Sequence, residues 1–317
     1  MASGVVPYRT VAPAALAVNT PPVEWLVEGL FLRGGVGILG GAPKSCKSFL
    51  ALDLAVAVAS ATPCAGSFRV PASEPVLLLS AEDPHGVVLE RLSRLASARQ
   101  VPLTSLPLHV IVEYPVRLPD QIDRLAATVE KHRPGLLLLD PLIRLHRADE
   151  NSASEMSVIL DGLRALARSS RSAVLLVHHS RKAPAGLALG TALRGSSDLH
   201  AFGDSNLYLR RLSADASLEL KIEHRAAAAP PALRLKLVVD GTTARFVPGE
   251  GRVDDDPLGR RVLDLLRAKS QPVVSAVLRA NLGVRNQALS EVLARLTTQG
   301  LVRRQGKAGW VVVPVPS

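Results

Sequence analysis

The chain has 317 residues, 47% of them hydrophobic and 21% charged, which are the proportions of a folded globular protein and exclude a disordered or fibrous one. Its two cysteines, Cys46 and Cys64, are too few for a disulfide framework, and no apolar run approaches the ~20 residues of a membrane span, so a cytoplasmic chain without membrane insertion is expected. A formal net charge of +10 points to a polyanionic partner such as DNA, and with aromatics at 3% such a partner would be held by its phosphates rather than by base stacking.

Residues 1–22 mix Pro, Ala, Thr and Val without periodicity and read as an N-terminal arm, either poorly ordered or packed on a neighbouring subunit. Val23 to Phe31 forms a short element before the turn Gly34-Gly35. It is read as a core contact, with cover for the adenine side of a nucleotide as the alternative. The apolar run Val36 to Leu39 and the apolar helical run Phe49 to Ser60 then bracket Gly40-Gly41-Ala42-Pro43-Lys44-Ser45-Cys46-Lys47-Ser48. This is the arrangement of a phosphate-binding loop, in which backbone N–H groups wrap phosphates, a lysine reaches the outer ones and a hydroxyl holds Mg²⁺. Gly41, Lys47 and Ser48 fit that pattern. Cys46 stands where the pattern has a second glycine, whose backbone freedom a residue with a Cβ lacks.

Short Val/Leu runs follow at Val76 to Leu79, Leu108 to Val112, Leu136 to Leu139 and Val174 to Val177, alternating with helical patterns at Gly86 to Ala98, Gln121 to His132 and Glu155 to Arg168. Such alternation predicts an α/β fold with a parallel sheet covered on both faces, whose ligands lie at the carboxyl ends of the strands. Polar groups stand at those ends. Glu82 and Asp83 follow the second strand, Asp140 closes Leu136-Leu137-Leu138-Leu139 in the manner of a Walker B aspartate, and His178-His179 closes the Val174 run. From Asn206 the pattern changes to four alternating strands, Asn206–Leu212, Ser217–Glu223, Ala232–Val239 and Thr243–Val247, a β-rich extension ending at a linker over residues 248–256.

The remainder, residues 257–317, reads as a small separate domain. From Asp254 onward ten Lys/Arg stand against five Asp/Glu, an excess of +5, half of the whole chain's surplus. Three helices are expected, at Leu258 to Ala268, Val273 to Ala280 and Arg285 to Thr298, with Asn281-Leu282-Gly283 as a turn, then two strands around Gly300 to Arg304 and Gly309 to Val313. That order, with the ending Leu296 to Val302, resembles the winged helix-turn-helix family. The resemblance implies a third helix in the DNA major groove, led by Arg285, Asn286 and Gln287, and a wing that brings Arg303, Arg304 and Lys307 to phosphates.

Residues 23–247 resemble the RecA-like P-loop ATPase core, most closely the RepA-like group that includes hexameric replicative helicases. The marks are Gly41 to Ser48, Ser80-Ala81-Glu82-Asp83, Asp140-Pro141-Leu142, Glu150-Asn151-Ser152, His178-His179-Ser180-Arg181-Lys182 and Leu193-Arg194-Gly195-Ser196-Ser197. The resemblance implies ATP and Mg²⁺ as ligands, with Gly41, Ala42, Pro43, Lys44, Ser45, Cys46, Lys47, Ser48 and Phe49 around the nucleotide. Lys47 would neutralise the β/γ-phosphates, Ser48 and Asp140 would hold the metal, and Glu82, or else Asp83, would polarise the attacking water. His179 would sense the γ-phosphate, with His178 packed or facing solvent. A cation from the next subunit would be Arg225, or else Arg194, in a homo-oligomeric ring such as a hexamer. His146 to Asn151 and Arg181 to Leu187 are loops that would face a central channel, with Arg181 and Lys182 the stronger DNA contacts. The implied role is a DNA-associated motor, a helicase or remodelling ATPase in mobile-element replication. An ATP-switched DNA-binding regulator and a recombination or defence accessory ATPase are the alternatives.

Overall fold

The computed structural model describes residues 8–15, 23–113, 115–179, 197–212, 217–249, 257–269, 271–298, 300–306 and 308–313. Most of the N-terminal arm, together with Arg181, Lys182, Arg194 and Lys307, lies outside the described residues. The chain enters with a hairpin of β1 (Trp25–Val27) and β2 (Phe31–Leu32), then β3 (Val36–Gly41) and α1 (Lys47–Ser60). Next come β4 (Val76–Ser80), α2 (His85–Ala98), β5 (Leu108–Val110), α3 (Ile122–His132), β6 (Leu136–Asp140), α4 (Ala153–Ser170) and β7 (Ala173–His179). A short helix α5 (Ser197–Phe202) leads to β8 (Ser205–Arg211), β9 (Leu218–His224), β10 (Leu233–Asp240) and β11 (Thr243–Pro248).

Strands β3 to β11 make one nine-stranded sheet in the order β11-β10-β9-β8-β3-β7-β6-β4-β5. The six strands from β8 to β5 run parallel, whereas β9, β10 and β11 are added antiparallel through hairpins. The β-rich extension is thus continuous with the parallel sheet, because β8 pairs with β3 (Leu39 opposite Leu207) as well as with β9.

The apolar runs follow from burial on both faces. Leu136 and Leu138 of β6 join Leu39, Leu78 and Val177 under α1 and α2, while Leu137 and Leu139 join Ile38, Leu79 and Leu176 under α3 and α4. Helix α1 lies wholly inside one layer, with all residues from Leu50 to Ala59 buried, which explains its apolar character on every face. Its one internal charge, Asp53, accepts the Ala65 N–H at 2.7 Å and pairs with Arg99 at 2.6 Å, which offsets the cost of burying a carboxylate there.

Two expectations shift at the edges. Strand β5 stops at Val110 rather than Val112, since as an edge strand it has only β4 to pair with, although the Ile111 N–H still donates to Leu78 O at 2.8 Å. The β1–β2 hairpin is a core contact: Leu26, Val27, Leu30 and Phe31 are buried, and the Trp25 ring meets the His224 ring edge-on at 5.1 Å. His224 lies opposite Ser205, at the end of the sheet where the parallel strands begin, so the hairpin does not cover the strand ends where a nucleotide would sit.

The C-terminal residues form α6 (Pro257–Arg267), α7 (Ser275–Leu282), α8 (Asn286–Thr298) and an antiparallel pair, β12 (Val302–Gln305) with β13 (Gly309–Val312). Leu266, Leu278, Leu293 and Val302 belong to a cluster of their own. Helix α7 begins two residues later than the sequence suggests because Val273 is drawn into a backbone bridge with Trp310, with N–H to O distances of 3.0 and 2.9 Å. It also runs through the expected turn to Leu282, which packs into that cluster, and Gly283 at φ 66° ends it.

Candidate functional site

The loop between β3 and α1 is built around close backbone approach. A Cβ on Gly41 would stand 2.3 Å from the Leu209 carbonyl oxygen of β8 and 2.8 Å from Ser45 Oγ, so only glycine fits. Ser45 is buried, its N–H donating to Ala42 O at 3.3 Å. Ala42, Pro43 and Lys44 form the outer rim of the loop, with Pro43 and Lys44 exposed. Lys44 and Cys46 both take left-handed backbone conformations, with φ of 62° and 66°. Cys46 therefore occupies the conformation that glycine adopts most readily, at a cost of roughly 1–2 kcal/mol for a residue with a Cβ. Cys46→Gly is expected to raise stability by up to about 1 kcal/mol, because relief of that strain exceeds the added entropy of the unfolded chain. Thermal unfolding without nucleotide measures it.

Lys47 opens α1 and is buried, its Nζ donating to Ala42 O at 2.8 Å. Burial lowers its pKa from the ordinary lysine value, against the opposing pull of Asp140, Glu82 and Cys46. Ser48 stands beside Asp140, which ends β6 and is 6% exposed, close enough for its hydroxyl to favour the carboxylate form. Burial is the main cause that raises the Asp140 carboxyl to about 6, with Asp83 and Glu82 adding to the rise and Ser48 and Lys47 opposing it. Phe49 lies under the Arg91 guanidinium, 5.2 Å from its ring centroid.

The neighbouring strand ends supply the other groups. Glu82, after β4, pairs with Arg144 at 3.1 Å, and its other oxygen lies 3.9 Å from Nε2 of His179 at the end of β7. Asp83 is held by Arg91 of α2 at 2.5 Å. The two carboxylates thus have separate arginines, and Glu82 is the one that faces the histidine. In register, Ser80 stands opposite Asp140 and Gly41 opposite His179. Lys47, Ser48, Glu82, Asp140 and His179 consequently come together at one end of the parallel strands. His178, 1% exposed, is packed beneath.

Arg225 does not join them. It follows β9, which runs antiparallel to β8, and so lies at the opposite end of the sheet, where its N–H donates to Asp204 O at 2.9 Å and its guanidinium donates to Ala201 O. A contact between Arg225 and a phosphate loop would therefore need another copy's loop. Two arginines that residue patterns left without a role do reach the site. Arg144, in the turn after Asp140, holds Glu82, and Arg211, the last residue of β8, comes within 3.5 Å of Cys46 Sγ. Arg211 ends a strand parallel to β3, and only the strand order shows that this end adjoins the loop. Its partner in sequence, Arg210, is already tied to Glu219 at 2.5 Å.

A hydroxyl and one carboxylate, Ser48 and Asp140, form an all-oxygen pair suited to Mg²⁺, which usually takes one or two protein carboxylates and completes its shell with phosphates and water. Among the described residues no group of three or more His, Cys, Asp or Glu is placed to hold a metal without such help. The raised Asp140 carboxyl has a measurable consequence. Between pH ~4 and ~6 the folded chain holds a proton there that the unfolded chain has lost, so stability falls as pH rises through that window and the full penalty stands above it. Asp140→Asn cannot ionise and is expected to be more stable by about 2 kcal/mol at pH 7.5 in magnesium-free buffer, the gap closing towards pH 4. Denaturant unfolding at both pH values checks this.

In the C-terminal region Arg285, Asn286 and Gln287 are exposed at the start of α8, with the Gln287 amide donating to Glu291 at 3.1 Å, and Arg303 and Arg304 are exposed on β12. No helix among the described residues is long and apolar enough to cross a membrane.

Residues 5–185 match the family described as AAA domain. Among solved structures the chain is similar to the RadB recombinase, at 18% identity and a TM-score of 0.49 over 66% of this chain and 89% of that one.

Proposed function

The chain belongs to the AAA domain family, and we propose that it is a RecA-like P-loop ATPase that works on DNA as a RepA-like helicase or remodelling motor, with residues 257–317 as a winged helix-turn-helix DNA-binding domain. The observation that carries the reading is the gathering of Lys47, Ser48, Asp140, Glu82 and His179 at the carboxyl ends of adjacent parallel strands, where folds of this kind bind ligands. Loop N–H groups from Gly41 to Ser48 would face the phosphates, Lys47 would neutralise outer-phosphate charge, and Glu82 would orient water for in-line attack. Mg²⁺, held by Ser48 and Asp140, would supply charge neutralisation at the phosphates when bound. Arg211 would add a second positive group at the rim.

Arg225 would serve a neighbouring subunit, which makes a ring of identical copies the natural assembly, since a residue at one end of the sheet meets a loop at the other only between copies. The C-terminal domain would place α8 in the major groove and Arg303 and Arg304 near phosphates.

Steady-state hydrolysis of ATP with and without single-stranded and forked DNA tests the reading, with stimulation by DNA and strand displacement expected. Hydrolysis that ignores DNA leaves an ATP-switched DNA binder instead. Arg303→Ala with Arg304→Ala is expected to weaken DNA binding and to lower the slope of log affinity against log salt by about 1–2 units. An unchanged slope removes the wing from the DNA interface.

A further inference from the structure

The loop after β6 carries a carboxylate that takes no part in the site as described. Its neighbours have local tasks. The Asn151 backbone N–H and side-chain amide both donate to Asp149 Oδ1 at 2.9 Å, Ser152 Oγ caps α4 by accepting the Glu155 N–H at 3.4 Å, and Glu155 accepts the Asp149 N–H at 2.9 Å. Glu150, between them, turns the other way and is 13% exposed at its side chain. Its Oε1 lies 3.5 Å from His178 Nδ1 and 3.9 Å from His146 Nε2. His178 is 1% exposed and the His146 side chain is fully covered. One carboxylate oxygen thus lies between two buried imidazoles, at ion-pair rather than hydrogen-bond separation from each, one ring from the loop that follows Asp140 and one from the end of β7.

Burying a carboxylate is costly unless partners compensate it, and at low local dielectric even a charge–dipole contact with a neighbouring ring is felt. A polar group placed there therefore fixes the relative position of the segments that supply its partners. Burial favours the neutral form of His146. Along β7 successive side chains alternate between faces, so His178 turns towards Glu150 while His179 lies 3.9 Å from Glu82. The two faces share a backbone: any shift of His178 carries His179 with it.

We propose that Glu150 is a positioning residue for phosphoryl transfer, its buried carboxylate clamping the loop after β6 to the end of β7 and so holding His179 against Glu82. The proposal rests on the ATPase reading, and it separates binding from turnover because the clamp acts on His179 and Glu82 rather than on Lys47 or Ser48.

The test uses the full chain with Glu150→Gln, which keeps the shape and removes the charge. Turnover is expected to fall about ten-fold while KM and the affinity for a fluorescent ATP analogue stay within two-fold. His178→Gln is expected to give a similar loss, and the double variant little more than either single one, because both remove the same clamp. Unchanged turnover in Glu150→Gln, losses that multiply in the double variant, or one equivalent of tightly bound zinc or iron in the purified protein would each overturn the proposal. If the parent chain neither binds nor hydrolyses nucleotide, the ATPase reading and the catalytic part of the proposal fall together, and the clamp alone is read from thermal unfolding. Non-additive destabilisation by the two substitutions supports it, and additive destabilisation removes it. Should Glu150→Gln fail to fold, His146→Gln removes one partner and is expected to lower turnover selectively, with equal turnover counting against the clamp.

Discussion

Replacing Lys47 by alanine is expected to lower kcat/KM for ATP hydrolysis by ~10³ or more, equivalent to about 4 kcal/mol of lost transition-state stabilisation. The size follows from its surroundings. The ammonium is buried at the start of α1, where water screens it little, and it stands near Asp140 and Glu82. In the isolated chain Nζ is parked on the Ala42 carbonyl at 2.8 Å, a contact that a phosphate oxygen would replace. Charge on the transferring group grows towards the transition state, so a pre-placed cation contributes most there. Lys47→Arg is a stringent companion, because a planar guanidinium keeps the charge but is not a geometric substitute for a compact ammonium. Measured rates of Lys47→Ala within ten-fold of the parent would remove the loop from the chemistry.

Glu82→Gln is expected to reduce kcat by ~10²–10⁴ while leaving nucleotide affinity within a few-fold, the pattern of a lost base rather than a lost binding contact. Asp83→Asn is the control that separates the two adjacent carboxylates. Asp83 is occupied by Arg91, whereas Glu82 faces His179 and is held by Arg144 at 3.1 Å. Asp83→Asn is therefore expected to change kcat less than ten-fold, its main effect being the loosened contact between the β4 turn and α2. The reverse order of effects would hand the role to Asp83. Arg144→Ala is informative in the same experiment: it leaves Glu82 chemically intact but unanchored.

Much of the architecture is legible in residues taken in order. Leu136 to Leu139 reads as a strand buried on both faces, because a run of four leucines between Gly135 and Asp140-Pro141 leaves no side for water and is too short for a buried helix, and Val76 to Leu79 reads likewise after Pro75. Glycine 41 announces a tight approach even before its neighbour is known. Alternation marks β8 to β11, and helical spacing marks α2, α3, α4 and the three C-terminal helices. These features are local: each depends on the pattern of a few successive residues and on which torsions they tolerate.

What tertiary structure alone decides is which distant segments share a border. Arg211 ends a strand whose alternation says nothing of its neighbour, and only the pairing of β8 with β3 sets it 3.5 Å from Cys46. The same strand order sends Arg225 to the far end of the sheet, since β9 returns antiparallel beside β8. Arg144 and Glu82 are 62 positions apart, and Glu150 meets two histidines from separate segments. Strand order and register come from the packing of whole layers, which no short window of sequence contains. The chain's own order thus determined a glycine-bearing loop between a strand and a helix, an aspartate-ended strand and a basic C-terminal region. The fold decided which charges gather around that loop, because burial on both faces of one sheet leaves only the strand ends open to them.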